Sequence, residues 1–436
     1  MAELLPLKAW RYNKELGENL EKLTAPLFDV VSVKQRELLY QNPLNSIHLS
    51  VPEGDQGHLA AQNLLKKWKS AGVLEQDDVP GIYVYYQYFR LPGEKEERCR
   101  KGFVTQIKAT PWEENKILRH ENTIVSAVHD RVDLLRATEI QASPTHGLYE
   151  DLNQKLEPWM DQAMQQPIYE LEDYQGVREV LARITDSRII AQFLKTLSDK
   201  KVILADGHHR LEAAIEYRKE QEAVQVSSPW KAADYHLMYL TNVVGNHLEI
   251  LPTHRLFYGN DLEKETFFSA LETWFEIRPM GDAAELATYS IQRKHSFGLV
   301  WEDAAFVIKF REEKFDQVAP LLPEVLRQLD LVLLHDVVFD KILGLSPNEQ
   351  RTTPALAFER NFSRCVQEVQ SKNAKFAIIT REIDLSQVID VCNSGQVMPQ
   401  KSTYFYPKAL GGMLFATVNQ EEFNYDYAQF FNESSL

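Results

Sequence analysis

The chain has 436 residues and a formal charge of −15, with 44% hydrophobic and 25% charged residues. That length exceeds what one ordinary core serves, so two domains or one large α+β body are predicted, and the balance is that of a folded globular protein, not of a disordered, collagen-like or membrane chain. The acidic excess excludes the basic footprint that tight nonspecific binding to nucleic acid or anionic membrane requires, so neither is expected as a partner.

The start, Met1-Ala2-Glu3-Leu4-Leu5-Pro6, has no basic flank leading into an apolar stretch, and no apolar run approaches the roughly 20 residues needed to cross a bilayer. The expected location is the cytoplasm. Cys99, Cys365 and Cys392 lie far apart without a C-x-x-C pair, which predicts buried or idle thiols and no zinc or redox work.

In chain order, residues 25–31 read as a turn. Residues 57–71 read as an amphipathic helix, with Leu59, Leu64, Leu65 and Trp68 at helical spacing. The Tyr- and Val-rich run 82–89 and the run 102–109 predict an antiparallel pair joined by the charged loop 92–101. Helices are predicted over 130–139, 152–164 and 189–197. The last leads into a buried strand, 201–205, which Gly207 breaks before the helix formers of 211–217. A strand over 235–242 and a turn over 251–255 follow.

The second half predicts a helix over 262–275, a hairpin of 297–301 and 305–310, and apolar helices between 325 and 343. A strand over 375–380, a short helix over 385–392 and a last strand over 411–418 complete it. The expected division is an N-terminal α+β region, 1–250, and a C-terminal α+β region, 251–436, whose late loop 399–408 returns to the site.

Chemistry concentrates in Asp206-Gly207-His208-His209-Arg210. A strand, tight loop and helix there would aim backbone N–H groups and a helix macrodipole at a phosphate. Arg210 can offer a bidentate fork, His208 and His209 further donors, and Asp206 can hold a cation or orient a donor. The bland alternative is a capped helix with surface charge. Adjacent histidines in a turn point apart, which argues against a zinc pair. His120-Glu121 fails the H-E-x-x-H pattern because position 124 is Ile124. Lys401-Ser402-Thr403 is a basic and hydroxyl cluster that reads equally well as a loop capping a strand.

Leu118-Arg119-His120-Glu121, Ile203-Leu204-Ala205-Asp206-Gly207-His208-His209-Arg210 and Gly395-Gln396-Val397-Met398-Pro399-Gln400-Lys401-Ser402-Thr403 resemble, in order, the three motifs of the free serine kinases. Those enzymes belong to the ParB/sulfiredoxin-like group and phosphorylate free L-serine, with ADP as donor in the archaeal and siderophore-pathway members. The chain is more similar still to the domain-of-unknown-function family numbered one thousand and fifteen. That family shares Ala25-Pro26-Leu27-Phe28-Asp29-Val30, the Asp206–Arg210 box, and the run from Pro399 through Tyr404-Phe405-Tyr406-Pro407 to Lys408.

The resemblance implies a ParB/sulfiredoxin-like nucleotide-binding core with a second α+β portion. It implies Glu121 as general base on the acceptor hydroxyl, and Asp206 to Arg210 as the box around the nucleotide phosphates and the reacting oxygen. It also implies Lys401, Ser402 and Thr403 as a substrate-side loop. The chain departs from the kinases by an insertion between Glu121 and Asp206, and by Tyr404-Phe405-Tyr406 where they carry a basic residue and a histidine. The expected function is an ADP- or ATP-dependent kinase of free serine or a similar small hydroxyl metabolite, with Mg²⁺ as counter-ion. A non-enzymatic ParB-like nucleotide-binding switch and a phosphate-ester hydrolase are the alternatives.

Overall fold

Strand Ile82–Phe89 shows how the first half is built. Ile82, Val84 and Tyr86 enter one buried cluster, while Tyr83 and Tyr85 enter another. With both faces covered, the usual polar and apolar alternation disappears and the strand reads as almost continuously apolar.

In the computed structural model, which describes residues 2–91, 93–259, 262–286, 293–318 and 320–431, this strand belongs to a nine-stranded mixed sheet. The order is Ile117–Leu118, Val202–Asp206, Thr145–Tyr149, Tyr235–Asn242, Arg98–Lys108, Ile82–Phe89, Arg178–Ile184 and Tyr169–Glu172, with Leu4–Leu5 also paired to Arg98–Lys108. Helix Ser187–Leu197 packs Ile190, Phe193, Leu194 and Leu197 into the first cluster. Helix Gly57–Ser70 packs Ala61, Leu65 and Trp68 into the second.

The chain forms two units. The first comprises Met1–Arg119, Thr123–Leu248 and Pro407–Leu436; the second comprises His120–Asn122 and Glu249–Tyr406. The region expected as one piece, 251–436, is therefore divided at Tyr406. Hydrophobic burial is the reason: Leu410, Met413, Leu414 and Phe415 lie in the same cluster as Leu7, Tyr12 and Trp68, and the backbones of Trp10 and Ala25 bridge to Phe415 and Gly411.

Several elements differ from the pattern-based expectation. The second strand of the central hairpin begins at Arg98, inside the expected loop, because the antiparallel register places Arg98 opposite Phe89; Pro92 of that loop lies outside the described residues. The helix expected over 152–164 is only Glu157–Ala163. Asp151 takes the N–H groups of Asn153 and Lys155 and holds the preceding stretch as a turn. The strand expected over 411–418 shrinks to Ala416–Thr417, paired with Ile140–Gln141, since Gly412 at φ 88° reverses the chain just before it.

The second unit carries a six-stranded antiparallel sheet in the order Phe275–Met280, Ala304–Phe310, Ser296–Trp301, Phe376–Ile379, His254–Phe257 and Leu356–Glu359. The hairpin around Glu302 and Asp303 is as expected. The stretch expected as a turn, 251–255, instead leads into strand His254–Phe257, whose two partners lie about a hundred residues downstream, beyond the reach of local patterning. The apolar run after residue 325 is broken into helices Glu324–Arg327 and Asp330–Leu333, followed by a π-helical stretch, Leu334–Ile342. The architecture is mixed α+β, and among the described residues no helix is long and apolar enough to cross a membrane.

Candidate functional site

The chain passes from strand Val202–Asp206 to helix His208–Glu220 through a single residue, Gly207, at φ 91° and ψ 31°. A Cβ there would stand 2.5 Å from Thr145 Cγ2, and L side chains are strained at that φ, so the position demands glycine. Because one residue completes the reversal, His208, His209 and Arg210 form the first turn of the helix and not a loop, which corrects the sequence reading. Gly207 brings no side-chain cap to the helix start. His209 Nε2 accepts the Ile124 N–H at 3.0 Å, which ties the box to the start of helix Val125–Thr138.

Asp206 is buried at 8% exposure and carries two cations: Arg210 Nη2 donates to Oδ2 at 2.8 Å, and Lys408 Nζ donates to Oδ1. Burial works against the Asp206 charge. The Lys408 ammonium and the Arg210 guanidinium more than offset it and hold the carboxyl well below the usual carboxylate range.

The rest of the Arg210 fork is also engaged, with Nη1 donating to Pro144 O at 2.6 Å and Ser143 Oγ at 3.2 Å. Its Nε–H is buried without a hydrogen-bond partner among the described residues, and Arg210 helps line a small cleft of about 60 Å³ with His236, Phe28 and Arg131. Burial, reinforced by Arg210, pushes His236 down to about 3. Burial, with the Arg100 charge, holds His146 well below the ordinary histidine value. Both imidazoles are neutral at physiological pH, so the charge around Asp206 is one carboxylate against two cations.

Lys408 ends the family-shared run that begins at Pro399, and the sequence alone assigns it no role. Its backbone is held by a buried polar group: Gln87 Nε2 donates to Lys408 O at 3.0 Å, Arg100 donates to Pro407 O, and Leu410 N donates to Tyr85 OH at 3.2 Å. No spacing rule links residue 408 to residue 206. The only available signal was that both fall inside motif blocks.

The other predicted residues gather in the second unit. His120 O accepts the Met398 N–H at 2.7 Å, His120 Nε2 and Thr403 Oγ1 lie 2.7 Å apart, and Lys401 N–H points at Glu121 Oε1 at 3.4 Å. Ser402 is buried and donates to Pro399 O at 2.6 Å, while Lys401 adopts φ 56°. The late segment is thus divided, with Lys401, Ser402 and Thr403 beside Glu121 and Lys408 on Asp206.

Among the described residues no group of three or more His, Cys, Asp or Glu could hold a metal ion, and each oxygen of Asp206 already accepts from a cation. Asp206, the residue expected to hold a cation or orient a donor, is thus engaged by Lys408 and Arg210. Cys365 and Cys392 are buried and Cys99 half-buried. Burial pushes the thiols up, Cys99 to about 11 and the other two to about 12.

No curated protein matches the chain in sequence. Among solved structures it is similar to a free serine kinase in complex with AMP, at 11% identity and TM-score 0.37 over 69% of this chain and 86% of that one. It is also similar to a conserved hypothetical protein from Pyrococcus furiosus, at 12% and 0.36 over 73% and 96%. A third is SbnI with a C-terminal truncation from Staphylococcus aureus, at 10% and 0.36 over 76% and 93%. Residues 4–332 match the family model described as a protein of unknown function, DUF1015, and the chain belongs to that family.

Proposed function

We propose that the chain is a nucleotide-dependent kinase, using ADP or ATP, that phosphorylates the hydroxyl of free serine or a similar small metabolite. The observation that carries this reading is the excess of positive charge at the start of helix His208–Glu220: a buried Asp206 between Arg210 and Lys408, with neutral histidines around it. A helix N-terminus next to uncompensated positive charge favours phosphate. The order of the three sequence motifs, which resemble those of the ParB/sulfiredoxin-like kinases, supports the same reading.

Phosphoryl transfer asks mainly for positioning and charge compensation. In this reading His208, His209, Arg210 and Lys408 hold the nucleotide phosphates, and Asp206 keeps the two cations in place. Glu121 accepts the proton of the acceptor hydroxyl, and Lys401, Ser402 and Thr403 form the acceptor-side loop. The hydroxyl oxygen bonds to the terminal phosphorus as the bond to the bridging oxygen breaks, giving an O-phospho product with AMP from ADP, or ADP from ATP. Charge compensation falls to the chain's own cations, and no step is assigned to Mg²⁺.

The test is turnover. Incubation of the full chain with L-serine and either ADP or ATP, followed by ³¹P NMR, should show a phosphomonoester and the shortened nucleotide. Nucleotide binding by calorimetry without that product would turn the reading into a nucleotide-binding switch. Free phosphate in place of the ester would turn it into a hydrolase.

A further inference from the structure

Arg255 in strand His254–Phe257 is fully buried, at 0% exposure. Its guanidinium donates through Nη1 to Thr253 O and through Nη2 to His335 Nε2 at 3.2 Å, and lies 5.3 Å from the centroid of the Phe358 ring. The Nε–H has no hydrogen-bond partner, and no carboxylate forms an ion pair with this group among the described residues. Burial alone pushes its pKa down to about 9.

His335 does not relieve that charge. Its Nδ1 lies 2.7 Å from Gln350 Oε1, which can only accept, so Nδ1 carries the proton and Nε2 is the acceptor for Arg255. The imidazole is neutral, pushed down to about 3 by burial and by Arg255. A buried cation without an anion is among the costlier arrangements a protein interior can hold.

The two side chains that flank the guanidinium, His335 and Phe358, also line a cavity of about 260 Å³, whose apolar walls include Leu322, Leu326, Val332 and Met398. An apolar cavity of about 150 Å³ is enough to take benzene, so this one has room for a six-carbon chain. Asp336 on its border is paired with Lys341, while Asp340 and Arg351 also line it with opposite charges. His335, Asp336 and Asp340 all come from the π-helical stretch, a geometry that recurs at functional sites.

We propose that this cavity of the second unit binds a small organic acid, an apolar body whose carboxylate seats against the His335 and Phe358 wall and supplies the anion that Arg255 lacks. The carboxylate there faces the guanidinium across one ring, in surroundings where poor hydration strengthens the attraction. The assignment is independent of the nucleotide reading, and its test involves neither nucleotide nor turnover.

Thermal shift and calorimetry on the full chain with hexanoate, hexanamide and hexylamine read the two requirements separately. Hexanoate should raise Tm saturably, hexanamide should bind at least about tenfold more weakly, as the loss of the charge facing Arg255 through a poorly hydrated wall implies, and hexylamine should give no shift. Val332→Trp, which fills the cavity, should abolish the hexanoate response. Arg255→Met should remove the preference for hexanoate over hexanamide. No response to millimolar hexanoate, equal binding of acid and amide, or a hexanoate response that survives Val332→Trp overturns the proposal. If Arg255→Met does not fold, the acid-to-amide ratio and the Val332→Trp variant still decide it.

Discussion

The Lys408 ammonium rests on Asp206 Oδ1, across 202 residues of chain. Arg210, four residues along the helix, holds the other oxygen of the same carboxylate. Removing either cation leaves a buried charge poorly matched. Lys408→Met should therefore cost about 3 kcal/mol of stability, the scale for breaking a buried ion pair from one side. Urea denaturation of Lys408→Met, Asp206→Asn and the double variant measures it, with the double variant losing less than the sum. Additive losses would show that the contact contributes no coupling.

Gly207→Ala tests the turn that aims this helix. A left-handed L residue costs about 1–2 kcal/mol, and the new Cβ would also press on Thr145 Cγ2. Thr145→Ser removes that methyl group, so adding it to Gly207→Ala should restore part of the loss but not the backbone share. The comparison of the two melting curves separates strain from steric contact.

How much of this was legible depended on whether the cause was local. Strand Val202–Asp206, the break at Gly207 and the helix after it follow from residue types within a short window, and so does the hairpin around Glu302 and Asp303. The exact start of the helix was missed because a single glycine at positive φ does the work usually given to a longer loop. Strand His254–Phe257 was missed because its pairing is set by Leu356–Glu359 and Phe376–Ile379. Lys408 was missed for the same reason at greater distance: an ion pair over 202 residues leaves no periodicity to read.

Two buried carboxylates respond to pH in opposite senses. Asp206 is depressed, so its contribution is complete above the ordinary aspartate value of 3.8 and is lost only as pH falls toward its lower folded value. Glu179, fully buried beside Tyr85 and Gln87, is raised by burial from 4.5 to about 8. The folded state then holds the proton that the unfolded state gives up, and stability falls as pH rises from about 4.5 to about 8. Glu179→Gln, which cannot ionise, should flatten the decline of Tm between pH 5 and about 8. An unchanged slope would mean that another group causes it.

Glu121→Gln is the sharpest test of the proposed chemistry. The Glu121 carboxylate receives a long Lys401 N–H contact, at 3.4 Å, and the amide oxygen of Gln, equal in size and polarity, can keep that contact, so the fold should be retained. What Gln cannot do is take the proton of an acceptor hydroxyl, and loss of a general base costs roughly 10²–10⁴ in turnover. Nucleotide affinity should be preserved, because the box from Asp206 to Arg210 and Lys408 is untouched. The pH profile gives the finer reading: the acid limb of the wild-type profile, which reports protonation of the base, should be absent from the residual activity of Glu121→Gln. Full turnover with unchanged nucleotide binding would remove Glu121 from the mechanism. Loss of turnover together with loss of nucleotide binding would instead assign it to the binding of the donor.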